Sequence, residues 1–327
     1  MADRKISDLT ALTTPASGDY VPIVDISEAA AASKNKRITI EELMRGVPDG
    51  TAAAPGIAFE TDPNTGIYSP GADQLAVATN GSERARIDSS GRLLVGTSTA
   101  RSIGTQNWGI QQEGTTFADT GISTTRNSAN QYGSYLTFGK SRGAVGSNTV
   151  VANDDELGTI LFAGADGSDV NSIAAWIRAQ VDGTPDSNDM PGRLVFSTTS
   201  DSASNPTERM RITRDGVQAY NQPAPAAVNA TATLTVANLK AGIITSTSAA
   251  ATDMTLPTGT DTQAGFSGTY NNFTFEWSVI NTGPSLVGVL AATAHTIVGS
   301  GSVATGTSGR FASRRTATNT FVTYRLS

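Results

Sequence analysis

The sequence contains no cysteine in its 327 residues, which excludes disulfides, thiolate nucleophiles, zinc fingers and iron–sulfur ligation. Histidine is nearly absent as well, with His295 alone. Ser-His-Asp chemistry would have to use that one imidazole, and a metal site needing two is excluded within one chain. There is no run of eighteen apolar residues, and Met1-Ala2-Asp3-Arg4-Lys5 leads into no secretory apolar core, so neither a membrane-spanning helix nor an export signal is expected. Charged residues make up 16% and aromatics 6%, against about 25% charged in ordinary soluble domains. Lys and Arg number 23 against 29 Asp and Glu, for a net charge of −6. A pI near 4.9 argues against general binding of nucleic acid or anionic membrane.

What fills the chain instead is Gly, 33 of 327, with Ser, Thr, Asn and Ala, a mixture suited to short strands and turns. Residues 1–46 read as a small mixed α/β module. Ile6, Leu9 and Leu12 recur every three residues, Tyr20-Val21-Pro22-Ile23-Val24 is strand-like with Pro22 arguing for an edge, and Lys36–Ile40 is a second strand. Thr39 is placed to cap a short helix starting at Glu41-Glu42. A Pro/Gly-punctuated stretch from Gly46 to Gly56 reads as a linker or the entry to a shaft. Strands then alternate with turns through Ile57–Glu60, Ile67–Ser69, Gln74–Ala78, Ala85–Asp88 and Leu93–Val95, with turns at Asp62–Gly66, Asn80-Gly81 and Ser89–Gly91.

A motif recurs at an offset of 125 residues. Glu83-Arg84-Ala85-Arg86-Ile87, closed by Gly91, returns as Glu208-Arg209-Met210-Arg211-Ile212, closed by Gly216. Apolar strands lead into the second copy at Gly158–Phe162 and Gly192–Phe196, and Ile173–Val181 between them is read as strand rather than helix. This is a re-used β module in a shaft-like region, 47–220. Residues 221–230 are read as a hinge before a C-terminal domain, 221–327, expected to be a β-sandwich or jelly-roll-like unit. There Phe273, Phe275, Trp277 and Val279 alternate with Thr274, Glu276 and Ser278, and Val322, Tyr324 and Leu326 alternate with Thr323 and Arg325.

Signals of chemistry are weak. Gly139-Lys140-Ser141 comes nearest to a phosphate loop, but the required glycine is replaced by Ser134, and Tyr135–Phe138 reads as a strand running into a polar turn. Acidic clusters at 153–156, 166–169 and 182–189 offer oxygens to hard cations, yet none has calcium-loop spacing, so turns held by Asx hydrogen bonds are expected. Carboxylate pairs about 5 to 10 Å apart would also serve a glycosidase. His295 reads as a structural or surface imidazole, since no Gly-x-Ser-x-Gly accompanies it. Phe266 and Tyr270 lie in a Gly-rich segment, as candidates to stack on sugar rings or to anchor their own loop. Arg310, Arg314 and Arg315 form the tight basic group of the C-terminal domain, as contacts for acidic sugars or as a solvated turn. No metal and no cofactor is expected.

Short strands with few aromatics bury little per ordered residue, which points to association, with three copies winding about one axis and covering each other's edges. Lys5–Leu12, Gly18–Asp25 and Lys36–Leu43 resemble the N-terminal attachment segment of tailed-bacteriophage fibres. Gly56–Phe59, Asp62–Tyr68 and the two E-R-x-R-I-x-x-x-G copies resemble the shafts of phage tail fibres, cyanophage ones especially. The resemblance covers most of residues 1–220. It implies a mainly β, homotrimeric structural virion protein, not an enzyme, made in the host cytoplasm and carried on the virion tail. An N-terminal module with Ile6, Leu9, Leu12, Tyr20 and Ile23 would dock on a tail adaptor, nozzle or baseplate protein. The shaft would be intertwined, and the C-terminal tip would meet a host-surface glycan or protein; the resemblance does not transfer the receptor, and Phe266, Tyr270, Arg310, Arg314 and Arg315 are the contact candidates read from the loops at 262–272 and 299–318 of this sequence. Neither nucleic-acid binding nor embedding in a membrane is implied. A head fibre or capsid decoration protein, and a tailspike depolymerase, are the alternatives; a cellular adhesin would normally need an export signal.

Overall fold

The computed structural model describes residues 20–24, 35–40 and 46–327. The architecture is mainly β, and among the described residues no helix is long and apolar enough to cross a membrane. The chain divides into two compact units, 1–138 with 161–174, and 139–160 with 175–327.

In the first unit, β1 (Tyr20–Val24) pairs antiparallel with β2 (Asn35–Thr39), the two strands expected. Arg37 places its guanidinium 4.1 Å from the centre of the Tyr20 ring. Ile6, Leu9, Leu12 and the helix expected at Glu41-Glu42 lie outside the described residues, as does the Ile23 side chain.

A six-stranded sheet follows in sequential order: β3 (Ile57–Phe59), β4 (Asp62–Tyr68), β5 (Leu75–Thr79), β6 (Ser82–Ile87), β7 (Leu93–Val95) and β8 (Ile110–Gln112). Asn80 and Gly81, at φ of 51° and 70°, form the two-residue turn between β5 and β6, the conformation that favours Asn-Gly. The turn expected at Asp62–Gly66 is instead part of β4. Gly66 lies against β3, and a Cβ there would meet the Ile57 carbonyl oxygen at 2.0 Å. The 46–56 stretch is no free linker either. Ser69 N donates to Asp49 O, and Ala52 packs on the small core of Tyr68, Ala76 and Ala78.

This sheet inverts the usual burial. On β5, Ala76 and Ala78 are fully buried, whereas Leu75 and Val77 are 54% and 42% exposed. Registration explains the choice of small residues: Ala76 stands opposite Tyr68 and Arg86, and Ala78 opposite Glu83. The alanines leave room for a ring and an ion pair above them.

The second copy of the motif lies in a sheet of order β13-β12-β11-β10-β9, formed by β9 (Glu156–Gly164), β10 (Ser172–Val181), β11 (Gly192–Thr198), β12 (Thr207–Ile212) and β13 (Gln218–Tyr220). Ile173–Val181 is strand, as read. The two copies share one device. Val77 pairs with Ala85 but Ala78 with Glu83, and Phe196 pairs with Met210 but Ser197 with Glu208. Arg84 and Arg209 are therefore the extra residues of β-bulges. Each reaches back over the incoming strand, Arg84 Nε to Thr79 Oγ1 at 2.7 Å and Arg209 Nε to Thr198 Oγ1 at 3.0 Å. The motif encodes a bulged hairpin.

The C-terminal part winds. β14 (Ala226–Ala227), β16 (Ile243–Ser246) and β18 (Thr274–Asn281) run parallel in one sheet, while β15 (Ala232–Thr233), β17 (Thr252–Thr255) and β19 (Val287–Leu290) run parallel in the other. Successive strands thus alternate between the sheets. β20 (His295–Val298) and β21 (Ser302–Val303) continue the alternation, and the antiparallel pair β22 (Thr307–Ala317) and β23 (Thr320–Arg325) completes the larger sheet, of order β14-β16-β18-β22-β23-β20. Two packed sheets are observed, but from β14 to β19 their strands pair parallel, whereas a sandwich and a jelly roll both pair theirs antiparallel. β14 lies inside the expected hinge, and Gln222 Nε2 bonds Ala241 O at 3.0 Å. The core between the sheets joins Ile244, Met254, Trp277, Val279, Val289 and Phe311. β18 alternates as read. β23 also alternates, but its buried face is Phe321 and Thr323, with Val322 and Tyr324 on the other side.

Among residues 46–327, three short helices connect strands. α1 (Phe117–Thr120), α2 (Val236–Lys240) and α3 (Gly259–Gly265) start at Thr116, Thr235 and Thr258, each accepting a main-chain N–H three residues on.

Candidate functional site

The residues expected to meet a ligand gather around α3 and the far end of β22, but not as one patch. Arg310, Arg314 and Arg315 are neighbours in sequence on a strand, and strand alternation separates them. Arg315 points inward with Phe311 and Ser313 and is buried, whereas Arg310 and Arg314 lie on the outer face. The expectation of a single basic turn is corrected accordingly: β22 runs as a continuous strand through all three. Arg310 pairs with Glu276 across to β18, where the register sets Ser278 opposite Arg310 and Ala312 opposite Glu276. Arg314 keeps its Nε buried without a hydrogen-bond partner.

Arg315 holds a loop together. Its Nε donates to Gln263 Oε1 at 2.8 Å, one Nη to Asn271 Oδ1 at 3.2 Å and to Thr269 O at 3.4 Å, and the other to Thr318 Oγ1 at 3.3 Å. Gln263 Oε1 also accepts from Asn319 N at 2.7 Å, tying α3 to the β22–β23 turn. The loop displays Tyr270, 66% exposed, with its ring set edge-on to Phe273 at 6.0 Å. Phe266 is only partly accessible. It stacks on Phe275 at 4.2 Å between centroids, with Lys240 Nζ 5.3 Å from its own. A ring lying on Phe275 anchors its loop, and the free aromatic is Tyr270.

His295 is fully buried, so it is a structural and not a surface imidazole. Its Nδ1 lies 2.9 Å from Pro257 O, and its Nε2 lies 2.8 Å from Thr323 Oγ1. Thr323 Oγ1 is 2.7 Å from Ser313 Oγ, which accepts from Trp277 Nε1 at 2.9 Å. One assignment satisfies every group. The indole donates to Ser313, Ser313 to Thr323, Thr323 to Nε2, and Nδ1–H to the carbonyl. The imidazole is neutral in that chain, and burial pushes its pKa down. No signal in the sequence pointed to this network, because its members come from four separate strands and a loop.

The acidic clusters are taken up by partners. Arg142 and Lys140 flank Asp155, whose carboxyl the Arg142 guanidinium holds well below the usual range. Arg193 bridges Asp154 and Asp182, and Arg178 pairs with Glu156. Asp166 accepts from Ser168 N and Ser172 Oγ, the Asx arrangement expected. Among the described residues, no group of three metal-ligating side chains converges. Lys140 lines an open cleft of about 580 Å³ with Ser141, Thr149, Asp186 and Met190. Its Nζ is 3.7 Å from Asp155, and Tyr135–Phe138 is not the strand expected, having no partner strand among the described residues.

No protein-family model matches the sequence, and no curated protein matches it. Among solved structures, the chain is similar over 47% of its length to the carboxy-terminal domain of the bacteriophage T5 L-shaped tail fibre, at 13% identity and a TM-score of 0.33, covering 67% of that chain. The same domain with its intra-molecular chaperone domain is similar over 47% of this chain and 46% of that one, at 13% identity and a TM-score of 0.25.

Proposed function

We propose that this chain is a structural virion protein, a homotrimeric phage tail fibre without catalytic activity. It docks on the tail through its N-terminal module and binds a host-surface receptor, most simply a polysaccharide, through its C-terminal domain. The observation that carries the reading is the apolar surface of the two motif modules, with burial inverted in the first. In the first, Ile57, Ile67, Leu75, Val77 and Ile87 stand outward over a core of alanines. In the second, Leu194 and Tyr220 are exposed on a face that registration shares with the partly buried Ile177, Phe196 and Met210, while Val195 and Ser197 of the other are buried. Large apolar faces on both modules suit subunits that cover one another. Tyr270, held out by a loop fixed from below by Arg315, supplies a rigid aromatic platform of the type that stacks on sugar rings.

Light scattering after size exclusion tests the assembly: a mass of three chains is expected, and a monomer overturns it. Binding of the purified protein to host cells tests the receptor role. Release of sugar from host polysaccharide would replace this reading with a depolymerase, and immunogold label on heads instead of tails with a head fibre.

A further inference from the structure

From Gly121 to Phe138 the chain forms neither helix nor strand, yet its composition is not that of a disordered loop. Ile122, Tyr132, Tyr135, Leu136 and Phe138 fall within it and all are exposed, Tyr135 and Leu136 by 75% and 78%. Disordered segments are poor in aromatics, and structureless stretches of this length are uncommon in compact domains. Among the described residues, no hydrogen bond joins main chain to main chain between Ile122 and Phe138. The bonds made there are local, such as Arg126 to Asn130 Oδ1 at 2.7 Å and to Tyr132 O at 2.6 Å.

The same unit has a surface with the converse deficiency. Ile57, Ile67 and Val77 are cross-strand partners in a row, and Leu75 and Ile87 form a second row that continues through Leu93 to Ile110. These rows share one face of the β3–β8 sheet, and all but Leu93 are among its exposed large apolar residues. Within this unit an apolar segment without a surface and an apolar sheet face without a cover thus both occur, and the unit does not bring them together.

We propose that residues 121–138 of one copy lie across this sheet face of a neighbouring copy. This rests on the trimeric reading and adds to it which segment is exchanged and where it lands. The five apolar side chains of the segment expose roughly 700 Å², close to the ~800 Å² per partner of a stable interface. Arg126 is its sole charged residue, so burying it strands little charge. Donor segment and acceptor face are different surfaces, which makes the contact heterologous, and a heterologous contact is complete only when it closes into a ring. Three copies about one axis satisfy every segment and every face.

Hydroxyl-radical footprinting of the wild-type assembly, its mass fixed beforehand by light scattering, reads side-chain accessibility without a variant. Tyr135 is expected to oxidise at least tenfold more slowly than Tyr270, with Leu136, Leu75 and Val77 protected alongside it. The absence of cysteine allows a second readout. Leu136→Cys and Val77→Cys chains, co-assembled, are expected to form a disulfide-linked dimer that neither variant forms alone. An intact trimer in which Tyr135 oxidises as fast as Tyr270, or in which the mixed disulfide never forms, overturns the segment assignment and leaves the trimer standing. A monomeric particle overturns the trimeric reading, and this proposal with it.

Discussion

Arg86 Nε lies 2.5 Å from Oε1 of Glu83, three residues back on the same strand. In a regular strand those two side chains would point to opposite faces; the bulge at Arg84 brings them to one. The pair recurs at 2.6 Å between Arg211 and Glu208, and in the first module Tyr68 also donates its hydroxyl to Glu83. The conserved spacing E-R-x-R within this chain is thus a consequence of bulge geometry.

Glu83→Gln is expected to cost about 1–3 kcal/mol, because it leaves a guanidinium and a phenol with a weakened acceptor. Side-chain exposures are 14% and 18% in the first pair and 35% and 28% in the second, so Glu208→Gln is expected to cost less. Urea denaturation checks the order, and a double-mutant cycle with Arg86→Met isolates the pair. Equal costs at both sites would show that burial does not set its strength.

Much of this fold was legible. Asn80-Gly81 announces its hairpin, and Phe275, Trp277 and Val279 point inward as their alternation requires. What alternation cannot announce is which face is buried. Leu75-Ala76-Val77-Ala78 alternates perfectly, and the buried set is the small one because Tyr68, Glu83 and Arg86 occupy the space above it. The basic group misled for a related reason: Arg314 and Arg315 are adjacent in sequence, so on a strand they face opposite ways. Tyr135–Phe138 has strand composition, but pairing depends on a partner, which a local pattern does not encode.

The neutral His295 makes stability depend on pH with a definite sign. Its folded pKa lies below its unfolded value of about 6.5. Below pH 6.5 the unfolded chain therefore binds a proton that the folded chain resists. The stabilisation is complete above that pH and is lost as pH falls toward the folded value. A protonated ring would donate to Thr323, which would then donate to Ser313; Ser313 still accepts from the Trp277 N–H, but its own proton loses the acceptor it has in the neutral chain. Denaturation midpoints of the wild type are expected to fall between pH 7 and 5, with a smaller change in His295→Gln. An equal fall in both assigns the dependence to other groups.

Arg315 and Tyr270 divide presentation from contact. Tyr270→Ala removes an exposed ring and is expected to leave thermal stability within about 0.5 kcal/mol of wild type while lowering host-cell binding at least tenfold. Arg315→Lys keeps the charge but cannot reach Gln263, Asn271 and Thr318 in one fork. It is expected to speed amide exchange across 263–272 and to weaken binding less than Tyr270→Ala. If Tyr270→Ala binds as wild type, the receptor surface lies elsewhere, and the outer face bearing Arg310 and Arg314 becomes the next to test.

The inverted β5 gives a pair of substitutions whose effects run against the usual rule. In a self-contained sheet, Val77→Thr at an exposed position would be nearly neutral, and enlarging a fully buried alanine would be the damaging change. Ala76→Leu is still expected to destabilise the unit by about 1–3 kcal/mol, since the added methylenes meet the Tyr68 ring and the Arg86 guanidinium opposite. Leu75→Thr with Val77→Thr, by contrast, should leave the circular dichroism of the chain intact and shift its mass in solution from three chains toward one, because the apolar area removed belongs to the contact between copies. Sedimentation velocity over a concentration series separates the two effects. An unchanged trimer in the double threonine variant would mean that this face is held by water and not by another copy, and the outward aliphatics of β3 to β8 would then need another explanation.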